Sequence, residues 1–226
     1  SSVGNATDFG DLTVARHGNS ACSSPTRGLF AGGNASGNTI DFIEFSTTGN
    51  AIDFGDLTSA REASRGLSSS TRGVFIGGSS NKVIEFVTIA SQGNSIDYGD
   101  ASANSEAYGN SAFSNSVRGV YALGSSDNTT IEYFTINAGG TALDFGDLSQ
   151  GRIQVGGASE ANGGLNDGYQ GTRFLNVVAG AGRGLFAGAF APANIGSIEF
   201  VQISTLGNGN DFGDLIKYLR SKDLEI

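Results

Sequence analysis

The chain has 226 residues, 36 of them Gly and only 2 Pro, with 15 Phe and 6 Tyr but no Met or Trp. That length admits one domain with a sizeable core. The glycine-rich, strand-forming composition points to an all-β chain with many tight turns, and no three-residue glycine step supports a collagen-like one. A formal net charge of −9, from 22 acidic against 13 basic side chains, argues against nucleic acid as a partner, because phosphate binding needs a basic patch.

In chain order, the first landmark is a Gly4-Asn5 turn that opens in mid-repeat, as expected of a processed or excised product. It runs into Asp8-Phe9-Gly10-Asp11-Leu12. Copies of this motif start at Asp8, Asp53, Asp97, Asp144 and Asp211, in steps of 45, 44, 47 and 67 residues. A beat of that size marks a solenoid, propeller or array. No basic segment followed by an apolar one stands at the start. No apolar run is long enough to predict a membrane-spanning helix. The single Cys22 rules out an intrachain disulfide framework.

Residues 17 to 57 serve as the type unit and contain four strand-like segments. The first, His17 to Ser24, is small and polar. The second, Thr26 to Gly33, is a short apolar strand closed by a double Gly. The third, Thr39 to Phe45, is apolar with acidic interruptions. The fourth, Ala51 to Leu57, carries the Asp-Phe-Gly-Asp motif and leads to Arg61. The second segment returns at Arg72-Gly73, Arg118-Gly119 and Arg183-Gly184, and the third returns as Ile84-Glu85-Phe86, Ile131-Glu132-Tyr133 and Ile198-Glu199-Phe200. Ile and the aromatic, two apart, share one strand face, and Glu takes the other.

Four short strands per unit, separated by Gly/Asn/Ser turns, predict an antiparallel meander and one propeller blade. The expected repeats are about 17–57, 62–100, 107–148 and 173–214, with everything from 1 to 214 in one domain. Paired glycines at 32–33 and 77–78 predict close backbone approach. The Gly between the two Asp residues predicts a bulge. Phe54 and its equivalents are the expected plugs between neighbouring blades, since one blade cannot bury both of its faces alone.

The beat is broken twice. A Gly/Asn-rich insertion of roughly 155–171 enters the last unit, and long irregular loops are commonly functional or disordered. Asn166, Asp167, Tyr169, Arg173 and Phe174, in and just after it, are the candidate ligand or partner residues. A tail of residues 215–226 turns basic and free of Gly, and its Ile216, Tyr218 and Leu219 are candidate assembly residues. One fourth-type strand is also in excess. Either it is spare, or the chain is an arc completed by other sequence or by another copy, and strand addition to another chain would use it.

Sites of chemistry are sparse. The repeated Asp residues form either a Ca²⁺-binding carboxylate ladder or, the preferred reading, turn caps or partners for repeat arginines such as Arg16, Arg27, Arg61, Arg72 and Arg118. His17 is the only His and has no evident triad partner. It reads as an exposed turn residue, and Cys22 reads as a small core residue. No catalytic, metal or cofactor-binding residue is assigned, and no cofactor is expected.

The run Ser68-Ser69-Ser70-Thr71-Arg72-Gly73-Val74-Phe75-Ile76-Gly77-Gly78, then Ile84-Glu85-Phe86 and Asp97-Tyr98-Gly99-Asp100, resembles a kelch repeat. Phe54, Tyr98 or Phe145 stands where that family places Trp, and the third and fourth units lose the second Gly (Gly124-Ser125, Gly188-Ala189). The wording of the repeats is similar to kelch-type repeats in structural and tail proteins of tailed phages, notably those of marine cyanobacteria. The resemblance implies an all-β propeller of kelch-like four-stranded blades, with four sequence repeats and one extra strand. It implies a non-enzymatic virion component (tail fibre, baseplate or decoration) that displays loops on a rigid ring. Other virion proteins, further copies of the chain or a host-surface glycan would be its partners, without nucleic acid or membrane insertion, in a virion or extracellular setting. The alternatives are a lectin-like propeller and a propeller-based hydrolase.

Overall fold

The computed structural model describes residues 4–34, 37–104, 111–124, 128–159, 182–190 and 194–215, and among these all regular structure is β. The first sheet is β1 (Ser20–Ser23), β2 (Arg27–Ala31), β3 (Thr39–Glu44) and β4 (Ile52–Asp56). The second is β5 (Arg65–Ser68), β6 (Arg72–Gly78), β7 (Asn81–Thr88) and β8 (Ile96–Asp100). The third is β9 (Ser111–Ser114), β10 (Arg118–Ala122), β11 (Thr130–Thr135) and β12 (Leu143–Asp147). The fourth is β13 (Gly156–Ser159), β14 (Arg183–Phe190), β15 (Asn194–Gln202) and β16 (Asn210–Asp214). Each is a four-stranded antiparallel meander in sequence order, as the repeat predicts.

Local chemistry sets each meander. In the first turn the Ser24 hydroxyl accepts from the backbone N–H groups of Thr26 (3.3 Å) and Arg27 (3.1 Å). Ser69 and Asn115 do the same at the equivalent turns. Short side chains that bond their own backbone favour turns over strands. The outer ladder then breaks register. Ile40 faces Gly55 and Asp41 faces Asp53, so Phe54 is the unpaired residue of a bulge. Tyr98, Phe145 and Phe212 occupy the same place in the other sheets.

Consecutive sheets stack through their first strands, β1 on β5, β5 on β9 and β9 on β13. A serine ladder links these strands. The Ser68 hydroxyl donates to Ser23 O (2.7 Å), Ser114 to Ser68 O (2.8 Å) and Ser159 to Ser114 O (2.9 Å). No comparable packing brings β13 back to β1 among the described residues. The arrangement is propeller-like, with four blade-shaped sheets in succession.

The fourth sheet shifts one boundary. Its first strand, Gly156–Ser159, lies inside the stretch expected to be the insertion, so the additional residues stand between β13 and β14. Gly156-Gly157 lacks strand-forming side chains, but the close stacking favours it. A Cβ at Gly157 would collide with the Ser111 hydroxyl of the preceding inner strand.

Candidate functional site

The recurrent residues converge on the junctions between sheets, and each junction is built alike. From the earlier sheet come a residue of the second strand, an aromatic of the third and the bulged aromatic of the fourth: Leu29, Phe42 and Phe54 in the first junction. From the later sheet come Phe75, Val87 and Ile89. The second junction joins Val74, Phe86 and Tyr98 to Tyr121, Phe134 and Ile136. The third joins Val120, Tyr133 and Phe145 to Phe186, Val201 and Ile203. The bulge is what turns Phe54 and Phe145, each 3% exposed, into this layer.

The outer strands add a backbone ladder. Gly93 N and Ser95 N donate to Phe54 O and Asp56 O, each at 2.8 Å, and Asn94 Oδ1 accepts from Asp56 N at 3.0 Å. The same pattern joins Gly140 and Ala142 to Tyr98 and Asp100, and Gly207 and Gly209 to Phe145 and Asp147. Gly55 fits this contact because its φ is +148° and a Cβ there would lie 2.5 Å from Gly93 O.

A guanidinium clasps each junction from its rim. Arg27 lies 4.8 Å over the Phe42 ring and donates to the carbonyls of Ile89 (3.1 Å) and Ala90 (3.0 Å) in the next unit. Arg72 lies 4.3 Å over Phe86 and reaches Ile136 O and Asn137 O, both at 3.0 Å. Arg118 lies 4.5 Å over Tyr133 and reaches Ile203 O at 2.9 Å. The ring face favours the cation while the carbonyls take its protons.

A second guanidinium is buried with a carboxylate. Arg16 pairs with Asp41 at 2.9 Å, both side chains fully buried. Arg61 pairs with Glu85 and Arg152 with Glu199 at the matching places. Burial lowers Arg61 to a pKa of about 10, against the opposing pull of the Asp97 and Tyr121 charges, and burial lowers Arg152 as well. A Ser or Thr two residues past the second Asp of the motif also donates to the third-strand carboxylate: Thr13 to Asp41, Thr58 to Glu85, Ser102 to Glu132 and Ser149 to Glu199. In the third unit Ser105 stands where the others place Arg, and no ion pair reaches Glu132 among the described residues.

Of the two roles expected of the motif Asp residues, turn cap or partner of a repeat arginine, the leading Asp takes the first. The first Asp of the motif caps its own turn: Asp8, Asp53, Asp97 and Asp211 each accept from the Gly two residues on, at 3.0–3.1 Å. Arg16 and Arg61 turn instead to the third-strand acids, and Arg27 adds an ion pair with Glu44 at 2.6 Å. Among the described residues no three His, Cys, Asp or Glu side chains group as a metal site would. His17 is exposed and meets Asn34 Nδ2 at 2.7 Å through its Nε2. Cys22 borders the first junction, and burial pushes its thiol up to about 12.

The candidate loop residues Asn166, Asp167, Tyr169, Arg173 and Phe174 lie outside the described residues, as do Ile216, Tyr218 and Leu219 of the tail. The buried acids and the serine ladder were not foreseen from sequence. Ser23, Ser68, Ser114 and Ser159, spaced 45, 46 and 45 apart, were the available signal.

The ends of the stack carry half-junctions. On the fourth sheet Leu185 and Phe200 are half-buried and Phe212 is 55% exposed, whereas Phe54 and Phe145 are covered. Arg183 lies 5.0 Å over Phe200 but meets no carbonyl of a following unit among the described residues. A shallow depression of about 350 Å³ opens there between Ala158, Ser159, Arg183, Leu185 and Phe212. On the first sheet Phe30 and Ile43 are half-buried, and Phe45 is 48% exposed where Ile89 is 1%.

No protein-family model matches the chain, and no similar sequence is found among curated proteins.

Proposed function

We propose that the chain is a non-enzymatic scaffold, a kelch-like propeller array serving as a structural or host-contacting component of a tailed-phage virion. The observation that carries this reading is where the recurrent polar residues act. The pairs Arg16–Asp41, Arg61–Glu85 and Arg152–Glu199, the clasps of Arg27, Arg72 and Arg118, and the serine ladder all join one unit to the next. A buried acid held by a guanidinium and a backbone N–H is a lock, not a proton donor poised for a substrate.

The turns before the outer strands carry exposed residues that differ between units: Ser46-Thr47-Thr48, Ala90-Ser91-Gln92, Asn137-Ala138 and Ser204-Thr205-Leu206. Constant junctions beneath variable turns suit rigid display, in which the frame stays the same and the contact surface changes. The test is mass spectrometry of purified particles of the phage that encodes the chain. Its peptides are expected in stoichiometric amount with the other virion proteins. Their absence, together with saturable binding on a glycan array, would replace this reading with a free lectin.

A further inference from the structure

The two ends of the stack are the two halves of the junction found three times inside it. The fourth sheet presents Leu185, Phe200 and Phe212, the counterparts of Leu29, Phe42 and Phe54. The first sheet presents Phe30, Ile43 and Phe45, the counterparts of Phe75, Val87 and Ile89. Arg183 keeps its place over an aromatic ring, as Arg27, Arg72 and Arg118 do. The carbonyls such a residue would reach belong to the residue eight positions before the outer-strand motif and the one after it. In the first unit those are Phe45 and Ser46.

The backbone is matched as well. Gly49 N and Ala51 N donate to Phe9 O and Asp11 O, so the leading Asp8-Phe9-Gly10-Asp11-Leu12 fills the outer slot of the first unit, and among the described residues it belongs to none of the four sheets. The same five residues recur as Asp211-Phe212-Gly213-Asp214-Leu215 at the other end. There a Cβ on Gly213 would meet nothing within 4 Å, whereas on Gly55 or Gly146 it would collide with the next unit.

We propose that the fourth sheet of one copy docks on the first sheet of a second copy, head to tail, with β16 taking the slot that residues 8–12 otherwise fill. Gly49 N and Ala51 N of the second copy then donate to Phe212 O and Asp214 O of the first. Arg183 reaches Phe45 O and Ser46 O, and Ser23 Oγ extends the serine ladder onto Ser159 O. The occupant is a second copy because only a sheet of this repeat carries both the apolar triplet and the aligned backbone donors. The chain's own first sheet is not packed on its fourth among the described residues. Because the joined surfaces differ, association runs on to a closed ring or an open chain. The inference stands apart from the virion reading, since it concerns self-association in solution.

The experiment is sedimentation of the full chain and of two variants, Arg183→Glu and Phe45→Glu, each at an exposed position. The unaltered chain is expected to exceed monomer mass, with a mean mass that rises with concentration. Each variant alone is expected to sediment as a monomer with an unchanged unfolding midpoint. Mixed in equal amounts they retain one good half-junction each, and one-to-one dimers are expected with nothing larger. An unaltered chain that stays monomeric overturns the proposal, including one in which Phe45 and Phe212 protect each other within a single copy. So does a mixture of variants that stays monomeric.

Discussion

Arg16 and Asp41 meet at 2.9 Å with both side chains fully withdrawn from solvent, although they belong to different parts of the repeat: one follows the leading Asp-Phe-Gly-Asp motif, the other sits on the third strand of the first sheet. Arg61 with Glu85 repeats the relationship across the first junction. Such a pair fixes how two sheets stack, because its charges are compensated only in that arrangement.

Breaking the pair one partner at a time is therefore the severe change. Glu85→Gln leaves the buried Arg61 charge uncompensated and is expected to cost about 3–5 kcal/mol in denaturant unfolding. The double variant Arg61→Met with Glu85→Leu removes both charges and is expected to cost less than Glu85→Gln alone. A double variant that falls by the sum of the singles would show that the pair does not act as a unit.

The third unit supplies a natural control. Glu132 is 2% exposed, takes both of its described bonds from Ser102 N at 3.1 Å, and has Ser105 where the other units have Arg. Glu132→Gln leaves no guanidinium stranded among the described residues, so its cost is expected to be near the 1–3 kcal/mol of a lost charged hydrogen bond, about half that of Glu85→Gln. Equal losses at the two positions, read from urea midpoints, would remove the distinction.

Tyr98 is the one aromatic of the five motifs that is not Phe. Its hydroxyl is buried without a hydrogen-bond partner among the described residues, and burial raises its pKa. The ring meanwhile packs edge-on against Phe86 and Phe134 at centroid distances of 4.9 and 6.1 Å. Tyr98→Phe keeps the ring and drops the unpaired hydroxyl, so an increase in stability of about 1 kcal/mol is expected. A decrease of that size would mean the hydroxyl has a partner.

The strands were legible because their signals are local. Ile84 and Phe86 two apart, the double Gly77-Gly78 and the turn serines each act within a few residues, and the observed β6, β7 and β8 follow them. The locks were not legible, because alternation puts Glu85 on the face opposite Ile84 without saying what covers that face. Its partner Arg61 belongs to the connection from the preceding unit. Gly156-Gly157 read as loop for a related reason. What favours glycine there is the closeness of Ser111 in the previous sheet, a distance that strand propensity does not carry.

Cys22 gives a probe of the first junction. Its sulfur lies where a Cβ on Gly73 would come within 2.6 Å, so the thiol is seated against the second sheet. Burial raises its pKa from the ordinary 9.0 to about 12, which leaves almost no thiolate in the native state near pH 8. Modification by a thiol reagent is expected to follow the opening of this junction and to accelerate in proportion as denaturant populates the open form. The raised pKa also has a sign. The unfolded chain releases the proton first, so the contribution to stability is complete below pH 9.0 and is lost as pH rises toward about 12. Cys22→Ala is expected to flatten the alkaline fall in stability relative to the unaltered chain. Rapid labelling at pH 8 without denaturant, or identical alkaline profiles for the two proteins, would place the sulfur in solvent and contradict the packing of β1 against the second sheet.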